Sequence, residues 1–146
     1  MHIFKNIYHN LFKGFLFLIL CFASTASHSE IIIGVHNNNL TSINKSTLRA
    51  VFTMRLNRWE NGQKITVLML DQNSKIHREF CVQKLGVFPY QLQRILDKRV
   101  FSGKSQAPIN VSNMEEMITK LLNTPGAIGY ISEEFVNDIP ADITTF

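Results

Sequence analysis

The sequence predicts an α/β fold whose central sheet is covered by helices on both faces. Short apolar runs rich in β-branched residues alternate with stretches of helical spacing. The first two runs, "IIIGV" from Ile31 and "ITVLML" from Ile65, are continuously apolar, which is the pattern of strands buried on both faces. No internal repeat, low-complexity segment or linker divides the chain, so its 146 residues leave room for one domain.

The first 26 residues read as a signal peptide, and residues 27–146 as the folded domain. Lys5 and Lys13 precede the apolar run Gly14 to Ala23, "GFLFLILCFA", and the small, polar "STASHS" follows. Charged, then apolar, then small is the order of a secretory leader. As a helix the run spans roughly 15 Å, half of a ~30 Å hydrocarbon core, which argues against a permanent membrane span. Ser24 and Ala26 offer a cleavage point, and a cut after Ser29 is the alternative. Leu20 is too large for the residue before a lipidated cysteine, so Cys21 is not read as an anchor. Losing Lys5 and Lys13 leaves 13 basic against 11 acidic residues, a net charge of +2 in place of +4. That balance, with no aromatic interleaving near Arg49, Arg55 and Arg58, gives nucleic acid no footprint. Cys81 is then the sole cysteine, so no internal disulfide is expected, and a buried helix cysteine is its simplest reading.

The elements follow in order. Ile31 to His36 is the first strand and "NNNLTSIN" a polar loop. Asn44 caps a helix whose apolar positions Leu48, Val51 and Phe52 keep helical spacing and which fades near Met54. "NRWENGQK" is a turn centred on Asn61-Gly62. Ile65 to Leu70 is the second strand, "DQNS" supplies capping residues, and "KIHREFCVQKL" continues as a helix to Gly86. A further helix starts near Pro89, a residue tolerated in a first turn, with Leu92, Ile95 and Leu96 as its apolar stripe. "FSGKSQAP" is a loop. Ser112 and Glu115 form a capping box ahead of Met114, Met117, Ile118, Leu121 and Leu122, the clearest amphipathic helix of the chain. "TPG" ends it and "AIGYI" is the third strand. A glycine inside a strand marks a bulge or a close approach, so Gly129 is expected to admit a neighbour or to bend the sheet. Asp142 to Phe146 adds an edge strand.

No set of side chains spells catalysis. His28, His36 and His77 lack metal-ligand spacing. Glu115-Glu116 and Glu133-Glu134 are adjacent residues that do not face each other on a helix. No nucleophile elbow, phosphate-binding loop or dinucleotide fingerprint is present, so neither an enzyme nor a cofactor is expected. The place that stands out is "VLMLDQNSKIHREF", a buried strand, a polar turn and a helix start. Ligands of open α/β sheets sit beyond the carboxyl ends of strands, and a helix start there offers free N–H groups and about half a positive charge. Asn73 and Ser74 with the N–H groups of Lys75 and Ile76 form the expected anion cradle, and Lys75, His77 and Arg78 are the expected cations. A plain capping role for Asn73 or Ser74 is the simpler alternative.

"TLRAVFTMRLNRWENGQKITVLML", "FSGKSQAP" and "TPGAIGYI", in that order, resemble the phosphate-type periplasmic substrate-binding proteins of ABC transporters. Members read as a helix ending in Ile-Phe-x-Gly-Lys, then x-x-x-Trp-x-x-Gly, a strand, a ligand turn and a late Pro-Gly-Ala-Ile-Gly-Tyr. Phe52, Trp59, Gly62, Phe101, Gly103 and Pro125 to Tyr130 match. The resemblance covers about Ile31 to Ser132 and implies one lobe of a type II periplasmic-binding-protein fold, short against the two lobes of full members. At the ligand turn the family reads Ser-Gly-Thr with an arginine four residues before the serine. Ser74 matches, but Lys75 and Ile76 stand for Gly-Thr and Leu70 for the arginine. The resemblance thus implies an exported, periplasmic solute-binding protein taking inorganic phosphate or a related oxyanion weakly, with an ABC permease or other envelope protein as partner. Leu70 and Ile76 keep open the alternative of a ligand-free interaction module that docks an envelope protein or homodimerises.

Overall fold

A computed structural model of the chain describes residues 29–36 and 42–146. The expected signal peptide and the loop at 37–41 lie outside the described residues. Five strands form one mixed sheet: β1 (Ile31–His36), β2 (Thr66–Leu70), β3 (Ile109–Val111), β4 (Ala127–Ser132) and β5 (Ile143–Thr145), in the spatial order β3-β2-β4-β1-β5. β2 runs parallel to β3 and β4, and β1 antiparallel to β4 and β5. The helices are α1 (Lys45–Phe52), α2 (Lys75–Phe80), α3 (Pro89–Phe101) and α4 (Met114–Asn123). A π-helical turn, Cys81–Leu85, extends α2, and a 3₁₀ turn, Glu133–Asp138, follows β4.

The continuous apolar runs do become the central strands. Every residue of β4 is buried, and β1 and β2 are buried along most of their length. Such strands bury both faces because helices cover both, which confirms the expected α/β class. The edge strand at the tail is also present, tied by reciprocal backbone bonds between Phe146 and Ile33 of 3.0 and 3.1 Å. β3 was not legible: three residues flanked by polar ones give no period to read, and only parallel pairing with β2 makes a strand of them.

Helix starts follow the side-chain chemistry. Asn44 Oδ1 accepts from the Thr47 N–H at 2.8 Å, as expected. The capping of α4 differs by one residue. Asn113 Oδ1 accepts from the Glu116 N–H at 2.8 Å, and the Glu116 carboxylate reaches back to the Ser112 N–H at 2.7 Å. An asparagine caps as well as a serine, so two adjacent capping residues compete, and the later one wins by placing Met114 and Met117 under the sheet. Among the described residues no helix is long and apolar enough to cross a membrane.

Candidate functional site

β2 delivers the chain from the middle of the sheet into the turn Asp71–Ser74, and α2 leaves from it. The turn is closed by its own backbone. Asp71 Oδ1 accepts from the Asn73 N–H at 2.8 Å, and the Asp71 carbonyl from the Ser74 N–H at 2.9 Å. Aspartate makes such turns readily because its side chain bonds the backbone two residues on. Ser74 caps α2, though its hydroxyl lies 3.5 Å from the His77 N–H, the long limit of such a bond. Among the described residues the N–H groups of Lys75 and Ile76 have no protein acceptor, as first-turn groups usually do not.

The six expected site residues divide. Asn73, Ser74, Lys75 and Arg78 lie on the outer side of the turn. Lys75 is largely in water and pairs with Glu79 at 3.7 Å, one helical turn on. Ile76 is half-buried against the core. His77 faces inward and is 2% exposed. Its Nδ1 is 2.7 Å from Tyr130 Oη, its Nε2 3.4 Å from Cys81 Sγ, and the Leu70 N–H donates to the same Tyr130 oxygen at 2.9 Å. With Leu70 donating to Tyr130, the arrangement that satisfies every group has the phenol donating to Nδ1 and the imidazole proton on Nε2, facing the thiol. Burial pushes the pKa of His77 down from 6.5, against a smaller upward pull from Asp71. The imidazole is therefore neutral at neutral pH, and the cation expected at this position is absent. The reason is spacing: three residues past the capping serine, the side chain falls on the face packed against β4.

The same burial raises the Cys81 thiol to about 12 and pushes the Tyr130 phenol up as well. Cys81 is thus an inert core residue, as its sequence context suggests. Tyr130 stacks on Phe80, with ring centroids 4.0 Å apart and planes 8° from parallel, and Phe52 leans on Phe80 at 4.6 Å.

A cavity of about 380 Å³ lies over this end of β2, walled in part by Leu70, Asp71, Gln72, Asp97, Phe101 and Asn110. Its charged groups are the carboxylates of Asp71 and Asp97. Of the six expected residues, His77 alone borders it. Asp97 was not anticipated, although Gln93 and Asp97 sit four apart on α3 and are joined by a 2.7 Å bond, a spacing that puts both on one helix face. Leu70, at the position of the resembled family's arginine, is 5% exposed. Among the described residues no group of histidine, cysteine and carboxylate side chains is placed to hold a metal.

Of the motif residues of the resemblance, Phe101 borders this cavity, while Trp59, Gly126 and Gly129 serve the packing of the fold. Trp59 is buried, and its Nε1–H donates to the Gly126 carbonyl at 3.1 Å. Gly126 has φ +77°, and a Cβ there would press on the Lys64 carbonyl oxygen, so the turn admits only glycine without strain. A Cβ on Gly129 would lie 2.6 Å from Met117 Sδ. The neighbour that Gly129 admits is thus α4, through its methionine.

No family model matches the chain, and no curated protein does. Solved structures do. The crystal structure of PstS from Borrelia burgdorferi superposes with a TM-score of 0.61 at 17% identity, covering 81% of this chain and 46% of that one. An ABC-type phosphate transport receptor from Vibrio cholerae gives 0.57 at 15% identity, covering 81% and 45%. Likeness at such identities is likeness of fold. The chain spans just under half the length of either structure.

Proposed function

We propose, on the premise of the fold shared with these phosphate-transport receptors, that the chain is an exported solute-binding protein that takes an oxyanion at the turn between β2 and α2. One observation carries this: the turn stands beyond the carboxyl end of a central parallel strand, with the first N–H groups of α2 unpaired. The Ser74 hydroxyl and the Asn73 amide supply further donors. Lys75 and Arg78 supply exposed positive charge, which water and salt screen. Affinity is weak in this reading. Leu70 provides no bidentate partner where the resembled family has arginine, and the carboxylates of Asp71 and Asp97 repel an anion. They repel least an anion that keeps a proton to donate to a carboxylate, so phosphate is favoured over sulfate. The periplasm is the compartment, and an ABC permease or another envelope protein the kind of partner.

A second reading, a ligand-free interaction module of the same fold, is favoured by Phe101. Its ring borders the cavity and is 88% exposed, which suits a contact with an envelope partner or a second copy.

A thermal-shift titration with phosphate, sulfate and a neutral control at fixed ionic strength separates the two. Ligand at 100 times its Kd adds about 2.7 kcal/mol of stability, a shift of several degrees. A saturable shift with phosphate, lost in Ser74→Ala/Arg78→Ala, is the expected result. No shift at millimolar anion favours the interaction module, and a shift that survives the double substitution removes the site from this turn.

A further inference from the structure

We propose that the opposite, amino end of β2 carries a separate site for a multivalent phospho-anion. A cavity of about 540 Å³ opens there, between the hairpin that precedes β2, the loop between α3 and β3, and the edge of β3. Arg58, Lys64 and Lys104 are its charged residues, with Ser105, Gln106 and Ile109 among the rest of its wall. No carboxylate lines it. Among the described residues the ion pairs are Lys75–Glu79 and Lys120–Glu116, so none of the three cations is neutralised by a neighbour.

A second, independent observation lies in the backbone. Arg58 and Lys64 form an antiparallel bridge across the hairpin. Like charges directly opposite each other destabilise a strand pair. The arrangement holds them there all the same. The Arg58 guanidinium donates to the Gly62 carbonyl at 2.8 Å, and Lys64 Nζ to Gln106 Oε1. Ser105 Oγ donates to the Met54 carbonyl at 3.1 Å and ties the loop that carries Lys104 to the end of α1. Met54 itself has φ +58°, a left-handed conformation that non-glycine residues seldom adopt. Like charges held opposite each other at the rim of one cavity single it out, because a bound anion would relieve their repulsion, and the backbone outlier at Met54 lies in the same wall. Three cations around a cavity of this size match an anion with several phosphoryl groups.

The protein reports on its own site, because its one tryptophan, Trp59, sits next to Arg58 in the hairpin. The test is a titration with inorganic triphosphate, with inorganic phosphate as control, at fixed ionic strength, read by Trp59 fluorescence and by calorimetry. The expected result is saturable binding at least tenfold tighter for triphosphate. Lys64→Gln/Lys104→Gln should raise the Kd tenfold or more. Ser74→Ala/Arg78→Ala, at the other end of the strand, should change it less than threefold. Without ligand, Lys64→Gln should melt at the same temperature as the parent or higher, since it removes a repulsion. Absence of saturation, a Kd indifferent to Lys64→Gln/Lys104→Gln, or a lowered melting temperature of ligand-free Lys64→Gln would each overturn the assignment. So would sedimentation with phosphatidylglycerol vesicles by a protein that ignores triphosphate, which would mark a membrane surface instead.

Discussion

The two ends of β2 belong to one strand of five residues and are built on opposite plans. At the carboxyl end a buried network of Tyr130, His77 and Cys81 holds the chain, and the cavity above it carries carboxylates. At the amino end the hairpin is held by its backbone and by Trp59 on Gly126, and the cavity carries cations. The pair teaches that anchoring and charge are separate choices. A buried phenol and imidazole can fix a turn without lending it any charge. An exposed hairpin can gather like charges around a cavity while its anchoring comes from elsewhere.

Substitutions at each end test that separation. The largest effect is expected from Gly126→Ala. A left-handed alanine costs about 1–2 kcal/mol, and displacing the Lys64 carbonyl adds a comparable amount, about 3 kcal/mol in all. Thermal unfolding should show it as a drop of roughly 10 °C. A loss below about 1 kcal/mol would mean that the hairpin is not pinned through this turn. Tyr130→Phe comes next. It strands the Leu70 N–H and His77 Nδ1 in the core, at about 1–3 kcal/mol, and should leave triphosphate binding untouched if the two ends are independent. Denaturant melts of the variant, run beside the triphosphate titration, give both numbers.

The smallest effect is one of pH. His77 takes up its proton less readily folded than unfolded, so below about pH 6.5 the unfolded chain binds more protons and stability falls as the pH falls. The loss should set in near 6.5, the unfolded value, and level off below the depressed folded one. In His77→Gln the slope between pH 6.5 and 5 should flatten. An equal slope in both proteins would assign the acid sensitivity to other groups.

Much of this fold could be read from the residues, and the reasons are local. Continuous β-branched runs give buried strands, and Asn44 or the 114–121 spacing gives a capped helix whatever lies around it. The ends of β2 resisted because their properties come from pairing distant segments. His77 looked cationic in "NSKIHREF" because sequence shows a histidine beside a lysine and an arginine, and not the ring of Tyr130 that takes it inward 53 residues later. Asp97 reaches the wall of the first cavity from α3, and Lys104 the second from a loop, and neither is near β2 in sequence. The 3-residue β3, which borders both cavities, has no signal of its own.

The Gly126 turn and the contact of Gly129 with Met117 have a consequence for what this stretch of sequence encodes. Both glycines are required by neighbours inside the fold. Packing alone obliges the fold to keep them, just as it keeps Trp59 and Tyr130, whatever the protein binds. The run Pro-Gly-Ala-Ile-Gly-Tyr is therefore a signature of the architecture. It specifies how the last helix, the sheet and the turn fit together, and it leaves the choice of solute to other residues.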